Sequence, residues 1–307
     1  MNILVTGGCG FIGSFVVEQL VAEGHAVRVV DVLEPRVHGG KKPALPERVG
    51  FEHCMSSDTP EDWVQWAEAV IHLAAQVGVA DSMADPTRYV WDNTGDTCRF
   101  LERLPGSLSR LVVASSMSVY GDGGPHVRES DPVNPTSVYA LTKYDQERLC
   151  LMWGAQYEVP TTALRFFNVY GPGQALTNPY TGVLAIFAQH LLHEKPPTVY
   201  EDGQQTRDFV YVSDVASAVV RAATMTKPVT GVFNVCTGEP TTVLDAAMTL
   251  AQVMGKRILP TITHTKRPGD IRHCTGDPTK AKWELGISCP TTFGEGITEY
   301  AAWLKKQ

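Results

Sequence analysis

The chain opens with a short apolar run, Asn2-Ile3-Leu4-Val5-Thr6, which leads directly into Gly7-Gly8-Cys9-Gly10-Phe11-Ile12-Gly13. The run has the length and composition of a buried strand. From Phe11 to Glu23 apolar residues recur at helical spacing (Phe11, Ile12, Phe15, Val16, Leu20, Val21), and Gly24 closes the pattern. The glycines therefore sit on a strand-to-helix turn. In such a turn Gly7 permits the tight reversal, Gly10 lets a pyrophosphate approach the backbone, and Gly13 lets the helix pack on the strand. Phe11, Ile12 and Gly13 then present first-turn N–H groups to the phosphates. The spacing is Gly-x-x-Gly-x-x-Gly rather than Gly-x-Gly-x-x-Gly, so the strand–turn–helix context carries the reading.

A second strand is expected at Ala26–Asp31, with an acid at its tip. A carboxylate there can accept both ribose hydroxyls of NAD and would repel a 2′-phosphate, which favours NAD over NADP; the plainer alternative is that Asp31 caps a loop. Arg28 and Arg36 are near in sequence, but neither is at the strand tip. Further buried strands are expected at Val70–Ala75, Leu111–Ser116 and Thr161–Arg165, the last after a helix from about Val138 to Gln156. Strands alternating with helices specify an α/β fold with a doubly wound parallel sheet, a Rossmann domain. The C-terminal third is richer in Pro and Gly and is expected to form a smaller α/β cap. We expect the first domain to span residues 1–165, the second 166–307, and part of 208–236 to return to the first.

Composition excludes several classes of function. The net charge is −7 and no basic run occurs, which argues against nucleic-acid binding. No apolar run approaches a membrane span, and the N-terminus enters a strand without a signal-like segment, so a cytoplasmic location is expected. Seven scattered cysteines without Cys-x-x-Cys suggest free thiols, and nine histidines without ligand spacing suggest no metal. The basic segment Pro35–Pro46 looks like a surface loop.

The chemistry-bearing residues lie in the middle of the chain. Ser116 ends its strand in Ala114-Ser115-Ser116-Met117-Ser118-Val119-Tyr120-Gly121, and Tyr139 and Lys143 follow at the start of a helix. Beyond the carboxyl ends of the strands, these side chains can face a nicotinamide. A tyrosine with a reference pKa of about 10 needs roughly 4 kcal/mol of phenolate stabilisation to act as a base near neutrality. Lys143, four residues on and on the same helix face, can supply part of it, as can the positive nicotinamide. Taken singly, Tyr139 could be a packing residue and Lys143 a solvated charge.

With these motifs in place, the chain resembles the extended short-chain dehydrogenase/reductase family, the NAD-dependent nucleotide-sugar epimerases and dehydratases. The resemblance runs from Met1 to about Leu304 and rests on Thr6–Gly13, Asp31, His72-Leu73-Ala74-Ala75, Asn93, Ser116, Val119-Tyr120-Gly121, Tyr139, Lys143, Arg165–Gly173 and Arg207-Asp208-Phe209-Val210. It implies tightly bound NAD, held by the glycine turn, Asp31, Leu73, Ala74, Ala75, Asn93, Tyr139 and Lys143. It also implies a homodimer paired through helices at about Asn93–Leu104 and Val138–Gln156. Tyr139 would be the base, Lys143 would bind the nicotinamide ribose, and Ser116 would assist at the sugar hydroxyl. Ser116, Met117, Ser118, Asn168, Arg207, Arg267 and Asp270 would contact a dTDP- or UDP-linked sugar. Arg207 could instead pair with Asp208, and Tyr200 and Phe187 could be either core or base-stacking residues.

Two departures matter. The family's 4,6-dehydratases carry an Asp-Glu pair where this chain has Met117 and Ser118, which favours a 4-epimerase over a dehydratase. A ketosugar reductase and a non-catalytic NAD-binding regulator remain as alternatives. The family's adenine-contacting Asp is replaced by Met55, leaving Ser56 or Asp58 for that role. Gln174–Val183 and Tyr200-Glu201-Asp202-Gly203 are similar to dTDP-L-rhamnose 4-epimerase-like enzymes, with UDP-sugar 4-epimerases as close competitors.

Overall fold

The computed structural model describes residues 1–39, 43–176, 182–265 and 271–307. Strands in chain order are β1 Asn2–Thr6, β2 Ala26–Val30, β3 Gly50–Glu52, β4 Ala69–His72, β5 Arg110–Ser116, β6 Gly124–Val127 and β7 Thr161–Phe166. They continue with β8 Asn168–Tyr170, β9 Thr198–Val199, β10 Thr206–Tyr211, β11 Gly231–Val235, β12 Pro240–Thr242, β13 Thr261–Ile262 and β14 His273–Gly276. Seven of them form one parallel sheet in the order β11-β7-β5-β4-β1-β2-β3. Every residue of β5 and β7 is buried. Apart from Arg110 and Arg165, their apolar and small residues suit a sheet covered on both faces. This is the doubly wound Rossmann architecture.

One face carries the first helix, Phe11–Ala22, packed on the helix Val212–Thr224 through Val16, Val17, Leu20, Val215 and Val219. The other face carries Asp96–Arg103 and the long helix Val138–Tyr157, over Phe100, Leu101, Cys150 and Val113. The long helix starts where it does because the Ser137 side chain accepts the Ala140 N–H at 3.1 Å, an N-cap that fixes the first turn. Its rotation is set by a buried clamp. Arg165 on β7 donates through Nε and Nη2 to Glu147 at 2.9 and 2.7 Å, and the Ser115 hydroxyl donates to the same carboxylate at 2.6 Å. The Arg165 guanidinium also lies 4.7 Å from the Tyr120 ring centre.

A second, five-stranded sheet runs β12-β10-β14-β6, with β8 also paired to β10. Its core is aromatic: Tyr170 meets Phe209, Tyr211 and Tyr300 edge-on at 6.1, 5.7 and 6.4 Å. Phe187 is buried in this cluster, so it is a core residue. The chain crosses between regions repeatedly. β6, from the first half, lies in the second sheet, whereas β11, from the last third, lies beside β7. Among the described residues no helix is long and apolar enough to cross a membrane.

Candidate active site

A cavity of about 280 Å³ lies beyond the carboxyl ends of β1, β2, β4 and β5. After β1 the chain steps outward to β2 and β3, then returns to place β4 on the other side of β1. Loops diverge at that reversal, which is where doubly wound sheets hold ligands. Gly7, Gly10, Phe11, Ile12, Gly13, Asp31, Leu73, Ala74, Ala75, Tyr139 and Lys143 all line the cavity.

The glycine turn is tight for identifiable reasons. Gly7 has φ +70°, and a Cβ there would stand 2.7 Å from the Ala74 nitrogen. A Cβ at Gly13 would stand 2.2 Å from the Gly7 carbonyl oxygen, so helix and strand could not meet. At Gly10 a Cβ would meet only the Gly7 oxygen, at 3.2 Å, within 4 Å. That opening is what an approaching pyrophosphate needs. No side chain caps the first turn of the helix, which leaves its N–H groups available for anions. The strand expected at Val70–Ala75 ends at His72. Leu73–Ala75 leaves the sheet because it crosses over Gly7 at backbone distance.

Asp31 is buried at the tip of β2, where it accepts the Cys9 N–H at 3.0 Å and the Leu33 N–H at 2.8 Å. Its carboxylate is thus anchored at the cavity wall. Neither neighbouring arginine supplies a 2′-phosphate site. Arg28 lies over the Trp63 and Trp66 rings at 5.0 and 4.3 Å, and Arg36 pairs with Asp81 at 2.7 Å. The glycine cradle and this carboxylate fit NAD.

The segment expected to be a surface loop, Pro35–Pro46, has no regular structure at residues 43–46, but its start departs from that expectation. Glu34 caps a helical turn, Pro35–His38, and Arg36, Val37 and His38 line the cavity. Glu34 pairs with Arg88 and accepts from the Gln76 amide at 3.4 Å, tying this turn to the opposite wall. Composition alone hid this, because the tie is made with residues more than forty positions away. Residues 40–42 of the expected loop lie outside the described residues.

At the far end, Met55 and Ser56 line the cavity, and Asp58 does not. Asp58 is the exposed last residue of a short turn, Ser56–Asp58, whose buried N–H groups at Ser56 and Ser57 donate to Asp96 at 3.2 and 3.1 Å. That anchor turns Asp58 outward and leaves Ser56 at the wall. Asn93 is also absent from the wall. Its amide accepts from the Gln76 N–H at 2.6 Å and donates to the Gln76 carbonyl at 3.1 Å and the Thr142 hydroxyl at 2.9 Å. It therefore joins the loop after β4 to the long helix and acts on the cavity through Gln76.

Ser116, Tyr139 and Lys143 come together from two elements. Ser116 ends β5, and its Oγ accepts the Ser118 N–H at 3.2 Å and the Ser118 hydroxyl at 2.9 Å. Tyr139 and Lys143 occupy one face of the long helix. Burial pushes the Tyr139 phenol above its ordinary range, and a hydrogen bond with Ser116 offsets part of that. Lys143 is 3% exposed, and burial pulls its ammonium down to about 8, partly opposed by Cys150 and Glu147. Ser116 is thus a protein group that pulls the Tyr139 phenol back toward its ordinary range.

The other side of the site is assembled from β5, β8, β10 and β14. Met117 approaches Cys274, whose thiol lies 3.1 Å from the thioether, and Cys274 is in register with Arg207. Arg207 is thereby brought toward Ser116–Ser118. Its Nη1 donates to the Thr206 carbonyl at 2.8 Å. The Asp208 carboxylate is occupied by the Thr237 N–H and hydroxyl and the Gly238 N–H, at 2.9, 2.6 and 2.9 Å. Asn168 borders a small recess with Gln174, Gly182, Val183 and Phe209. Its buried Oδ1 has no hydrogen-bond partner among the described residues. Arg267 and Asp270 lie outside the described residues, as does Thr177–Thr181.

A Rossmann protein with a serine–tyrosine–lysine group beside a dinucleotide cavity belongs to the class of NAD-linked enzymes that act on alcohol carbons. More narrowly, residues 3–236 match the model of the NAD dependent epimerase/dehydratase family, and the chain belongs to that family. It is 30% identical to a dTDP-L-rhamnose 4-epimerase of Burkholderia thailandensis, over 100% of this chain and 95% of that one. It is 34% identical to a UDP-glucose 4-epimerase of Mycolicibacterium smegmatis, over 97% of each. The crystal structure of a Thermotoga maritima UDP-glucose 4-epimerase with UDP-glucose superposes with a TM-score of 0.89 at 34% identity, covering 100% of this chain and 99% of that one. The protein is a nucleotide-sugar epimerase that uses NAD.

Proposed function

We propose that the protein inverts C4 of a dTDP- or UDP-linked sugar, with Tyr139 as base, Ser116 as its hydrogen-bonding partner and Lys143 at the nicotinamide ribose. One observation carries the choice of 4-epimerisation. From Ala114 to Gly121 no carboxyl side chain stands beside the Ser116–Tyr139 pair; the positions hold Met117, against Cys274, and Ser118. Elimination of water across C5 and C6 needs a second acid there, whereas inversion needs only the hydroxyl pair. NAD, held by the glycine turn and Asp31, would supply the hydride acceptor and donor at C4. Tyr139 takes the C4-hydroxyl proton and gives it back, and Ser116 holds the same oxygen. Asn168 and Arg207 are assigned to the diphosphate, which must be gripped while the sugar turns. Arg207 suits that role because a guanidinium can bind two phosphate oxygens.

A homodimer is part of this reading. What supports it is the exposure of Trp91, Leu141, Met152 and Tyr157, at 61, 48, 63 and 52%, on or beside the two helices expected to pair. Sedimentation at micromolar concentration is expected to give twice the chain mass.

The test of activity is incubation with a panel of dTDP- and UDP-sugars in deuterium oxide, without added reductant, followed by NMR. A C4 epimer without deuterium at C3 or C5 is the expected product. Deuterium at either carbon, loss of water, or a requirement for NADH would replace 4-epimerisation with another reaction of the family.

A further inference from the structure

Gln146 has no exposure to solvent and sits mid-helix, three residues after Lys143. An unpaired amide at such a position would be costly, and a leucine would fill the space at lower cost. Each end of this amide is occupied. Its Oε1 accepts from the Lys143 ammonium at 2.6 Å. Its Nε2 faces the Thr97 hydroxyl at 2.8 Å, the Ala74 carbonyl at 3.2 Å and His72 Nε2 at 3.2 Å. The orientation of the amide is not arbitrary. An ammonium can only donate and a carbonyl can only accept, so the oxygen must face Lys143 and the nitrogen must face Ala74.

The chain of contacts continues. His72 Nδ1 lies 2.7 Å from the Thr6 hydroxyl, which in turn accepts the Ala74 N–H at 3.3 Å. The Ala74 carbonyl is thus held by Gln146 and its N–H by Thr6, which joins Gln146 through His72. Burial, and then the Lys143 charge, pull the His72 imidazole down to about 4. It is neutral at ordinary pH, so Lys143 is the cation of the network.

We propose that Gln146 is a positioning residue, whose side-chain amide aims the Lys143 ammonium into the cavity it shares with Tyr139 and locks it to the Leu73–Ala75 loop. By occupying one ammonium proton it directs the other two toward the cofactor and the tyrosine. Gln146 touches neither, so it acts through Lys143 and Ala74. The catalytic part of this inference rests on the proposed 4-epimerisation; the part concerning the lysine and the loop does not.

The titratable groups around the ammonium are Tyr139, Glu147 and Cys150 on its own helix and His72 on β4, with Asp96 acting on His72 from the neighbouring helix. The experiment is NMR titration of lysines labelled at the ε-carbon, on NAD-loaded wild-type, Gln146→Leu and Gln146→Glu protein, with Lys143→Arg to assign the signal. Gln146→Leu removes the acceptor and is expected to make Lys143 titrate at lower pH. Gln146→Glu sets a carboxylate against it, cannot donate to Ala74, and is expected to make it titrate at higher pH. The high-pH limb of turnover should move in the same two directions. Turnover by Gln146→Leu should fall about tenfold or more, with KM for the sugar nucleotide nearly unchanged. Should Gln146→Leu not fold, the near-isosteric Gln146→Glu decides. A Lys143 titration that moves in neither variant overturns the proposal. Shifted titration with no C4 epimer from the wild-type protein would overturn 4-epimerisation and leave the lysine-positioning role standing.

Discussion

On the cofactor side of the site the wall is largely main chain and buried polar groups that bond one another. On the sugar side, by contrast, the candidate contacts are single side chains delivered by separate strands. A Cβ would fall 2.7 Å from backbone at Gly7 and 2.2 Å from backbone at Gly13, and Asp31 accepts two backbone N–H bonds at 3.0 and 2.8 Å. Asn168 and Arg207 sit on β8 and β10, strands of the second sheet. The first side is rigid because each group is constrained by several others, as a tightly held dinucleotide requires. The second side presents separate side chains rather than main chain, which suits a sugar that reorients as proposed. Changes on the cofactor side should therefore damage the fold or the chemistry, and changes on the sugar side should damage affinity.

The most damaging single change should be Tyr139→Phe. It deletes the proposed base while leaving the glycine turn and Asp31 intact, so turnover is expected to fall about a thousandfold or more. Bound NAD, measured by absorbance of the nucleotide released on denaturation, should remain at wild-type level. Loss of NAD in this variant would show that the cradle and the catalytic group are not separable. Next is Glu147→Ala, which strands a buried Arg165 charge. Denaturant unfolding should show a loss of about 3–5 kcal/mol, and a loss under about 1 kcal/mol would remove the clamp from this account.

His72 offers a pH test. Its depressed value means that the unfolded chain binds more protons between about 4 and 6.5. Its contribution is complete above pH 6.5 and is lost as the pH falls toward 4, by roughly 3 kcal/mol at most. The His72→Gln variant is expected to lose less stability than wild type across that window in thermal melts. Equal slopes would show that His72 is not what makes this side acid-sensitive. The smallest effect should belong to the sugar side. Arg207→Ala is expected to raise KM by about ten- to a hundredfold, the equivalent of about 1.5–3 kcal/mol for a charge-assisted contact. kcat and melting temperature should change little, and a fall in melting temperature of several degrees would show that Arg207 holds the two sheets together.

Much of the cofactor side was legible in the sequence because its determinants are local. Asn2–Thr6 is a strand and Phe11–Ala22 a helix within one residue of expectation. The glycines between them report a stereochemical need that seven residues can express. The helix expected from about Val138 begins there, and the Ser137 cap that sets where Tyr139 falls in it came from the structure. Asp58 illustrates the limit. Composition made it as good a candidate as Ser56, and only the bonds from Ser56 and Ser57 to Asp96, about forty positions on, turned it to solvent. Glu34 and Gln146 carried no signal at all. A glutamine at a mid-helix position looks the same in sequence whether it faces water or a buried lysine.

The sequence by itself determined the strand–turn–helix cradle, the acid at the tip of β2 and the tyrosine–lysine face of one helix. Those features depend on backbone stereochemistry and on 3.6-residue periodicity, which act over a few positions. Only the tertiary structure decided which polar groups are buried together: Gln146 with Lys143 and Ala74, Glu34 with Arg88, Met117 with Cys274. Such pairings depend on the rotation of each helix and the register of each strand. Packing of the whole core fixes both, and no local pattern does.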